Sequence, residues 1–279
     1  MPAAPRLVAR GLDAGYPGRR VIEGLDLSIA PGRVTMIIGA NACGKSTLLS
    51  VLAGLNAPQG GTVELDGTDI SSLPRRRFAQ TVGLLPQHPT APDGITVAEL
   101  VSRGRYPHRG VFQRWGPADA RIVDDAMVTT GVEALAERPV GDLSGGQRQR
   151  VWIAMALAQA PRILLLDEPT TFLDLSHQLD VLDLLRHLNR TAGTTIVVVL
   201  HELNLAARYA DDLVVMSEGR IVAHGTPAEV LTQEVLAEAF GLDALVMPDP
   251  LTQTPLVVPL PRGAGTGAPH DPIERKHRT

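Results

Sequence analysis

The chain has 279 residues, of which 44% are hydrophobic and 3% aromatic, and its formal net charge is −4. This length can bury a sizeable core, and the slightly acidic balance argues against a nucleic-acid-binding surface. A single cysteine, Cys43, excludes an internal disulfide framework and fits a reducing compartment. No apolar run approaches the roughly 20 residues that span a bilayer, and Met1–Arg6 lacks the apolar stretch of a signal peptide.

The N-terminal part of the chain predicts strands, then a loop and a helix. The segment from residue 7 to 29 predicts strands, with turns at Pro17–Gly18 and Pro31–Gly32. The apolar run Val34–Ile38 predicts a buried strand, and leucines at helical spacing predict a helix over 46–55. Two more short strands are expected at residues 62–65 and 82–85.

The loop between that strand and helix carries the first functional motif. Gly39–Ser46 has the sequence G-A-N-A-C-G-K-S, which fits the phosphate-binding spacing G-x-x-x-x-G-K-[ST]. Backbone N–H groups and a helix dipole meet there, Lys45 would reach the terminal phosphates, and the Ser46 hydroxyl would bind Mg²⁺. The motif predicts ATP or another nucleoside triphosphate as ligand. Its predicted binding residues are Gly39, Ala40, Asn41, Ala42, Cys43, Gly44, Lys45, Ser46 and Thr47.

In the middle of the chain, the alternation of strands and loops gives way to interrupted helical segments. Between residues 88 and 142, prolines and glycines interrupt helical segments at 96–103 and 117–130, which predicts an inserted helical subdomain. Leu143–Gln147 then has the sequence L-S-G-G-Q before a helical pattern over 148–160. A serine suited to cap that helix and two glycines that expose its backbone predict a second anion site, without a lysine.

The last part of the chain alternates strands and helices. An apolar strand from residue 163 ends in Asp167 and Glu168, and is followed by a helix (176–190), a strand (195–200), a helix (203–209) and a strand pair joined by residues 217–220. This alternation predicts an α/β fold whose core sheet is mainly parallel, with an antiparallel N-terminal portion. We expect one nucleotide-binding domain over residues 1–255 and a disordered tail over 256–279, rich in Gly, Pro and charge after residue 261.

In this order the motifs resemble those of ATP-binding-cassette (ABC) ATPases, over roughly Leu7–Phe240. Three stretches resemble the ATPases of iron-siderophore, haem and cobalamin importers, namely Arg103–His108 (R-G-R-Y-P-H), Glu168–Asp174 (E-P-T-T-F-L-D) and Leu200–Asn204 (L-H-E-L-N). The first of these points most toward ferric-siderophore import. The resemblance implies the P-loop NTPase fold of an ABC cassette and hydrolysis of ATP.

The acidic pair follows a predicted core strand, at the sheet edge where ligands of α/β folds bind. Asp167 is therefore predicted to hold Mg²⁺, and Glu168 to polarise the attacking water as general base. The remaining roles are implied by the resemblance alone. Gln87 would contact Mg²⁺ and take part in catalysis, His201 would contact the γ-phosphate, Tyr16 would stack on adenine, and Asp174 would communicate across a dimer.

The partners are likewise implied by the resemblance. Two chains would pair head to tail as a homodimer, so that one chain's signature residues close over ATP held by the other's Lys45. These residues are Ser144, Gly145, Gly146 and Gln147. The dimer would lie at the cytoplasmic face of the cell membrane, peripheral to integral permease subunits and served by an extracellular solute-binding protein. A basic stretch is expected either to contact the permease or to form a solvated loop: Arg103, Arg105, Tyr106, His108 and Arg109.

Two residues depart from the ABC pattern, since glycine is usual at Ala42 and proline is frequent at Ala40. If residue 42 needs a positive φ, alanine there costs about 1 kcal/mol. Cys43 is either a small filler of the loop or a redox-sensitive group. The alternatives for function are a haem or cobalamin importer ATPase, a non-transport ABC ATPase acting on DNA or ribosomes, and a nucleotide-binding module without turnover. The short insertion and single cassette disfavour the second, and the presence of Glu168, His201 and Gln147 disfavours the third.

Overall fold

The structure is a computed structural model that describes residues 6–109, 115–171 and 173–261. Its strands are β1 (Leu7–Tyr16), β2 (Arg19–Ile29), β3 (Val34–Gly39), β4 (Gly60–Leu65), β5 (Thr68–Asp69), β6 (Val82–Leu85), β7 (Ile163–Asp167), β8 (Thr195–Val199), β9 (Asp212–Ser217), β10 (Arg220–Gly225), β11 (Ala244–Pro248) and β12 (Pro255–Pro259). Its α-helices are α1 (Lys45–Leu52), α2 (Arg75–Ala79), α3 (Val97–Ser102), α4 (Pro117–Thr129), α5 (Gly145–Ala158), α6 (Leu175–Ala192), α7 (Leu203–Tyr209), α8 (Pro227–Val230) and α9 (Gln233–Phe240).

A six-stranded sheet with the order β10-β9-β3-β8-β7-β6 forms the centre of the fold, and only β10 runs antiparallel to its neighbour. Every residue of β3, β7 and β8 is buried, as expected of parallel strands covered on both faces. Because these strands are parallel, their carboxyl ends meet at one edge, where Gly39 ends β3 and Asp167 ends β7. The predicted α/β class with a mainly parallel core is confirmed.

A second sheet, with the order β2-β1-β4-β5, is antiparallel throughout and confirms the predicted N-terminal portion. Helix α1 joins it to the central sheet. Leu48 and Leu52 of α1 belong to one buried cluster with Leu12 of β1 and Ile37 of β3. The phosphate loop, which immediately precedes α1, is therefore attached to a helix held by both sheets.

The inserted region contains α3 and α4, and α5 packs against both of them. Thr96 and Glu99 form a capping box at the start of α3, and Leu100, Met127 and Trp152 share one buried cluster. The helical subdomain was predicted to end at residue 142, before α5 begins. Helix α5 nevertheless supplies the surface on which α3 and α4 pack. The insertion depends on α5 because α3 has only two turns and cannot bury its apolar face alone.

The stretch from Arg103 to His108 forms a 3₁₀-helix. It corrects both alternatives expected for Arg105, a permease contact and a place in a solvated loop. Arg105 is buried; its Nε donates to Asp119 Oδ1 at 2.9 Å and its Nη1 donates to the Ala158 carbonyl at 2.9 Å. A Cβ on Gly104 would lie 2.1 Å from the Met155 carbonyl oxygen. The stretch therefore joins α4 to α5, and of the residues around Arg105 only Tyr106 is largely exposed.

Replacing Arg105 by alanine is expected to destabilise the fold by about 2–3 kcal/mol, since Asp119 loses a charged hydrogen bond. The Arg105 guanidinium is also the main cause that lowers the pKa of Asp119 from its ordinary value of 3.8. A depressed carboxyl pKa contributes stability that is present above the ordinary pKa and is lost as the pH falls through the depressed value. Denaturant unfolding at pH 7 and below pH 4 should therefore show a steeper acid loss in the native protein than in Arg105→Ala. The exposed Arg121→Ala, on α4, is the control and should change stability by less than about 0.5 kcal/mol.

The C-terminal part of the described chain is a two-stranded hairpin, β11–β12, packed on α7 and α9. Asp249 begins its turn and accepts backbone N–H groups of Thr252 and Leu251 and the Arg208 guanidinium, which lower the pKa of Asp249 to about 2. The predicted start of the tail at residue 256 is wrong for its first residues, because Pro255–Pro259 pairs with β11 as β12. Residues 262–279 lie outside the described residues, as do Met1–Pro5 and Phe172. No helix in the described part of the chain is long and apolar enough to cross a membrane.

Candidate nucleotide-binding site

The phosphate loop turns sharply between β3 and α1. Ala42 and Gly44 have φ values of 61° and 108°, and a Cβ on Gly39 would lie 2.2 Å from the Met216 carbonyl oxygen of β9. Gly39 is thus required by the close approach of β9, and Gly44 by its left-handed backbone at the start of α1. Cys43 belongs to the loop, and it is buried.

Lys45 is buried inside this loop rather than extended into solvent. Its Nζ donates to the carbonyl oxygens of Gly39 and Ala40, both at 2.9 Å, and lies 3.9 Å from Cys43 Sγ. Its charge is therefore solvated by loop carbonyls instead of by a carboxylate. Because no carboxylate of the described residues forms a salt bridge with it, the buried ammonium keeps a net positive charge that favours an incoming anion.

Ser46 and Asp167 place two oxygen ligands together at the sheet edge. The Ser46 hydroxyl donates to Asp167 Oδ1 at 3.1 Å. Burial is the main cause that raises the pKa of Asp167, with the adjacent Glu168 acting in the same direction. A buried carboxylate beside a hydroxyl, without a salt-bridge partner among the described residues, favours a bound cation, and hard oxygen donors suit Mg²⁺. These residues fit the metal that the phosphate loop predicts.

The Glu168 carboxylate is contacted by polar side chains, and the cluster that they form comes from three separate segments of the chain. Gln87 Nε2 donates to Glu168 Oε2, Thr171 Oγ1 donates to the same oxygen at 3.1 Å, and His201 Nε2 lies 2.5 Å from Oε1. Glu168 itself has a φ of 50°, a strained value for a residue with a side chain. The geometry brings together the three predicted catalytic residues, Glu168, His201 and Gln87.

An open cleft of about 500 Å³ lies over the phosphate loop. The predicted residues that line it are Tyr16, Asn41, Ala42, Gly44, Lys45, Ser46, Thr47, Gln87, Glu168 and His201. Two further residues, Arg19 and Val21, line the same cleft and were not predicted from the sequence. A signal was available for Arg19, because it follows the turn at Pro17–Gly18 and becomes the cross-strand partner of Tyr16.

The signature residues do not line this cleft in their own chain. Ser144 and Gln147 form a capping box at the start of α5, which confirms Ser144 as the N-cap. A Cβ on Gly146 would lie 2.8 Å from the His177 ring, so a side chain at this position would displace that ring of α6. Asp174 caps α6 and accepts from the His177 ring nitrogen at 2.7 Å. Through the His177 ring, Asp174 therefore lies close to the signature residues at the start of α5. That helix start is exposed, and no lysine is present among the signature residues.

Ala42→Gly is expected to stabilise the fold by about 1 kcal/mol, because glycine adopts a φ near 60° without the steric cost that Cβ imposes. The sequence predicted this cost only if residue 42 had a positive φ, and its φ is 61°. Thermal unfolding without nucleotide would measure the gain. Ala53→Gly at the end of α1, where φ is −80°, is the matched control and should not stabilise. Equal effects of both substitutions would contradict strain at Ala42.

Comparison with known proteins places these motifs in a family. Residues 22–171 match the family model described as ABC transporter. The chain is 50% identical to the achromobactin transport ATP-binding protein of Dickeya dadantii, with 92% of this chain and 95% of that protein covered. It is 51% identical to the ferric enterobactin transport ATP-binding protein of Escherichia coli, with 94% and 97% covered. A cobalamin import ATP-binding protein of Halobacterium salinarum is 41% identical, with 90% of this chain and 63% of that protein covered.

Solved structures agree with the fold. An inward-facing ABC transporter of metal-chelate type superposes with a TM-score of 0.80 at 29% identity, covering 92% of this chain and 98% of that chain. A dimeric bacterial ABC transporter cassette superposes with a TM-score of 0.71 at 27% identity, covering 79% and 98%. The family model, the relatives and the solved structures all indicate the same family. The chain belongs to the ABC transporter family, as an ATP-hydrolysing subunit.

Proposed function

We propose that this chain hydrolyses ATP to power import of a ferric-siderophore complex through a separate membrane permease. The observation that carries the proposal is the meeting of Lys45, Asp167 and Glu168 at one sheet edge, in a chain half identical to two siderophore-transport ATP-binding proteins. The lower identity to a cobalamin import protein favours a siderophore over cobalamin. Haem remains the alternative solute, and no feature of the described residues favours action on DNA or ribosomes.

In this proposal the phosphate loop holds ATP and the residues around it perform the chemistry. Lys45 and the loop N–H groups bind the β- and γ-phosphates, and Tyr16 and Arg19 flank the base. Ser46, Asp167 and Gln87 would hold Mg²⁺, which would neutralise charge on the phosphates. His201 donates from its ring to the γ-phosphate, and Glu168 accepts a proton from the attacking water.

The contacts of Glu168 make its availability as a general base depend on whether ATP is bound. Both of its carboxylate oxygens are engaged, one by Gln87 and Thr171 and the other by His201. These donors take up three of the roughly four acceptor positions of the carboxylate, so the attacking water has to compete with them for Glu168. A γ-phosphate that attracts the His201 ring would release Oε1, so that the base becomes available when ATP is present.

The second half of the site would come from another copy of the chain. The helix start at Ser144 exposes backbone N–H groups but has no lysine beside it, and none of the signature residues lines the cleft at Lys45 in its own chain. A head-to-tail dimer supplies both to each ATP, and contacts from two sides to one γ-phosphate would make closure depend on nucleotide. The dimer is proposed to sit at the cytoplasmic face of the membrane against permease subunits, with an extracellular solute-binding protein delivering the substrate.

Uptake of labelled ferric siderophore tests the proposal in cells whose native gene is replaced by Glu168→Gln. We expect uptake to be lost, while haem and cobalamin uptake continue. Glu238→Gln, the same chemical change at an exposed residue of α9, is the matched control and should retain uptake. Normal ferric-siderophore uptake in the Glu168→Gln strain, with no second ATPase expressed, would contradict the assigned solute.

A further inference from the structure

The outer face of the β11–β12 hairpin is an apolar surface that no residue in the described part of the chain covers. Leu245 lies opposite Val258 and Met247 lies opposite Leu256, and the four side chains point to the same side because residues alternate along each strand. Leu245 and Met247 are 50% exposed and Val258 is 39% exposed. We call these four residues the hairpin patch.

The patch is a concentration of apolar surface, not a scatter of single residues. Of the ten large hydrophobic residues that are exposed in the described part of the chain, three belong to the patch and a fourth, Leu251, lies in the turn of the same hairpin. Such clustering on one element is typical of a surface that another molecule covers.

The hairpin is held rigidly from its inner face. Asn204 of α7 donates to the Val257 carbonyl at 3.2 Å and accepts the Val257 N–H at 2.8 Å. Arg208, one turn along α7, donates to Asp249 at 3.0 Å. Ala244 and Val257 are buried against the core, so the patch cannot fold back onto its own domain.

The position and chemistry of the patch favour a second copy of this chain as the occupant. Helix α7, which anchors the hairpin, begins two residues after His201, whose side chain lines the nucleotide cleft. A two-fold contact must be self-complementary, and a face without charged side chains meets its own copy without like-charge repulsion. The following segment, residues 262–279, contains one large aliphatic residue, Ile273, too few to cover four side chains.

We propose that the hairpin patches of two chains pack against each other and hold the dimer together when no ATP is bound. This inference rests on the head-to-tail dimer of the proposed function. It adds a contact that does not depend on nucleotide. The two ATPase halves would then stay paired through the catalytic cycle, opening at the nucleotide sites and remaining joined at the hairpins.

Sedimentation equilibrium of the full chain tests the contact, with and without ATP, in the hydrolysis-deficient Glu168→Gln background. Adding Met247→Glu is expected to weaken nucleotide-free self-association by about tenfold or more, since apolar burial is replaced by two facing charges. The matched control is Val128→Glu, an exposed aliphatic residue on α4. Equal association of the two variants without ATP would overturn the proposal, and so would loss of permease binding by Met247→Glu with unchanged self-association.

The same experiment separates this inference from the proposed function. If Glu168→Gln does not dimerise even with ATP, the nucleotide sandwich itself fails. If it dimerises with ATP and Met247→Glu has no effect in either state, only the hairpin contact fails. As a second readout, Met247→Cys should form an oxidised covalent dimer without nucleotide, while Val128→Cys should not. Equal cross-linking of the two would also overturn the contact.

Discussion

Glu168→Gln is expected to lower ATP turnover by about 100- to 10,000-fold, the range that a general base supplies, while ATP binding persists. Glutamine has nearly the same shape, so Gln87 and Thr171 keep a partner, but it cannot accept the proton of the attacking water. Lys45 and the phosphate loop are unchanged, and the loss of one negative charge beside the phosphates should favour binding. Single-turnover hydrolysis and fluorescent-nucleotide titration measure the two effects separately.

The control for this substitution is Glu238→Gln, which should hydrolyse ATP at the native rate. A Glu168→Gln protein that hydrolyses ATP within about threefold of the native rate would show that another group acts as base. His201 would then be the candidate, because it is the other proton-accepting side chain of the cluster.

Ser144→Arg is expected to abolish measurable turnover while each chain still binds ATP. Ser144 lies outside the cleft that holds Lys45, so the substitution leaves the phosphate loop intact. The larger side chain would obstruct the helix start that has to close over the partner's nucleotide. It also removes the N-cap, which costs about 1 kcal/mol of stability.

Ser144→Ala separates obstruction from loss of the cap. It removes the same hydrogen bond to the Gln147 N–H but adds no bulk, so it should share the loss of stability and retain part of the turnover. Loss of ATP binding in Ser144→Arg would place the signature residues beside the nucleotide of their own chain, contrary to the account. Calorimetric ATP titration of both variants distinguishes these outcomes.

The central part of the site was predictable because its residues are consecutive. Gly39–Ser46 has a fixed spacing, and flanking apolar runs indicate the strand and helix that orient it. Asp167 and Glu168 end a strand, and parallel strands bring such ends to one edge. Local patterns of this kind specify both the element and the direction in which its end points.

What the sequence left open depends on contacts between distant segments. Arg105 belongs to a basic stretch, and only its pairing with Asp119 and the Ala158 carbonyl shows that it is a buried support. The β11–β12 hairpin was missed because its strands are short and proline-rich. Their pairing is fixed by Asn204 and Arg208, residues about 40 to 50 positions away whose side chains give no local signal.

Complementation between two inactive variants tests the central claim most directly, namely that each ATP site is built from two chains. One protein carries Lys45→Ala and the other Ser144→Arg; neither should hydrolyse ATP alone. In a head-to-tail heterodimer, the intact Lys45 of the second chain faces the intact Ser144 of the first, which restores one complete site. We expect that mixing the two proteins recovers ATP turnover. Mixed protein that stays as inactive as either variant alone, although heterodimers form, would contradict it.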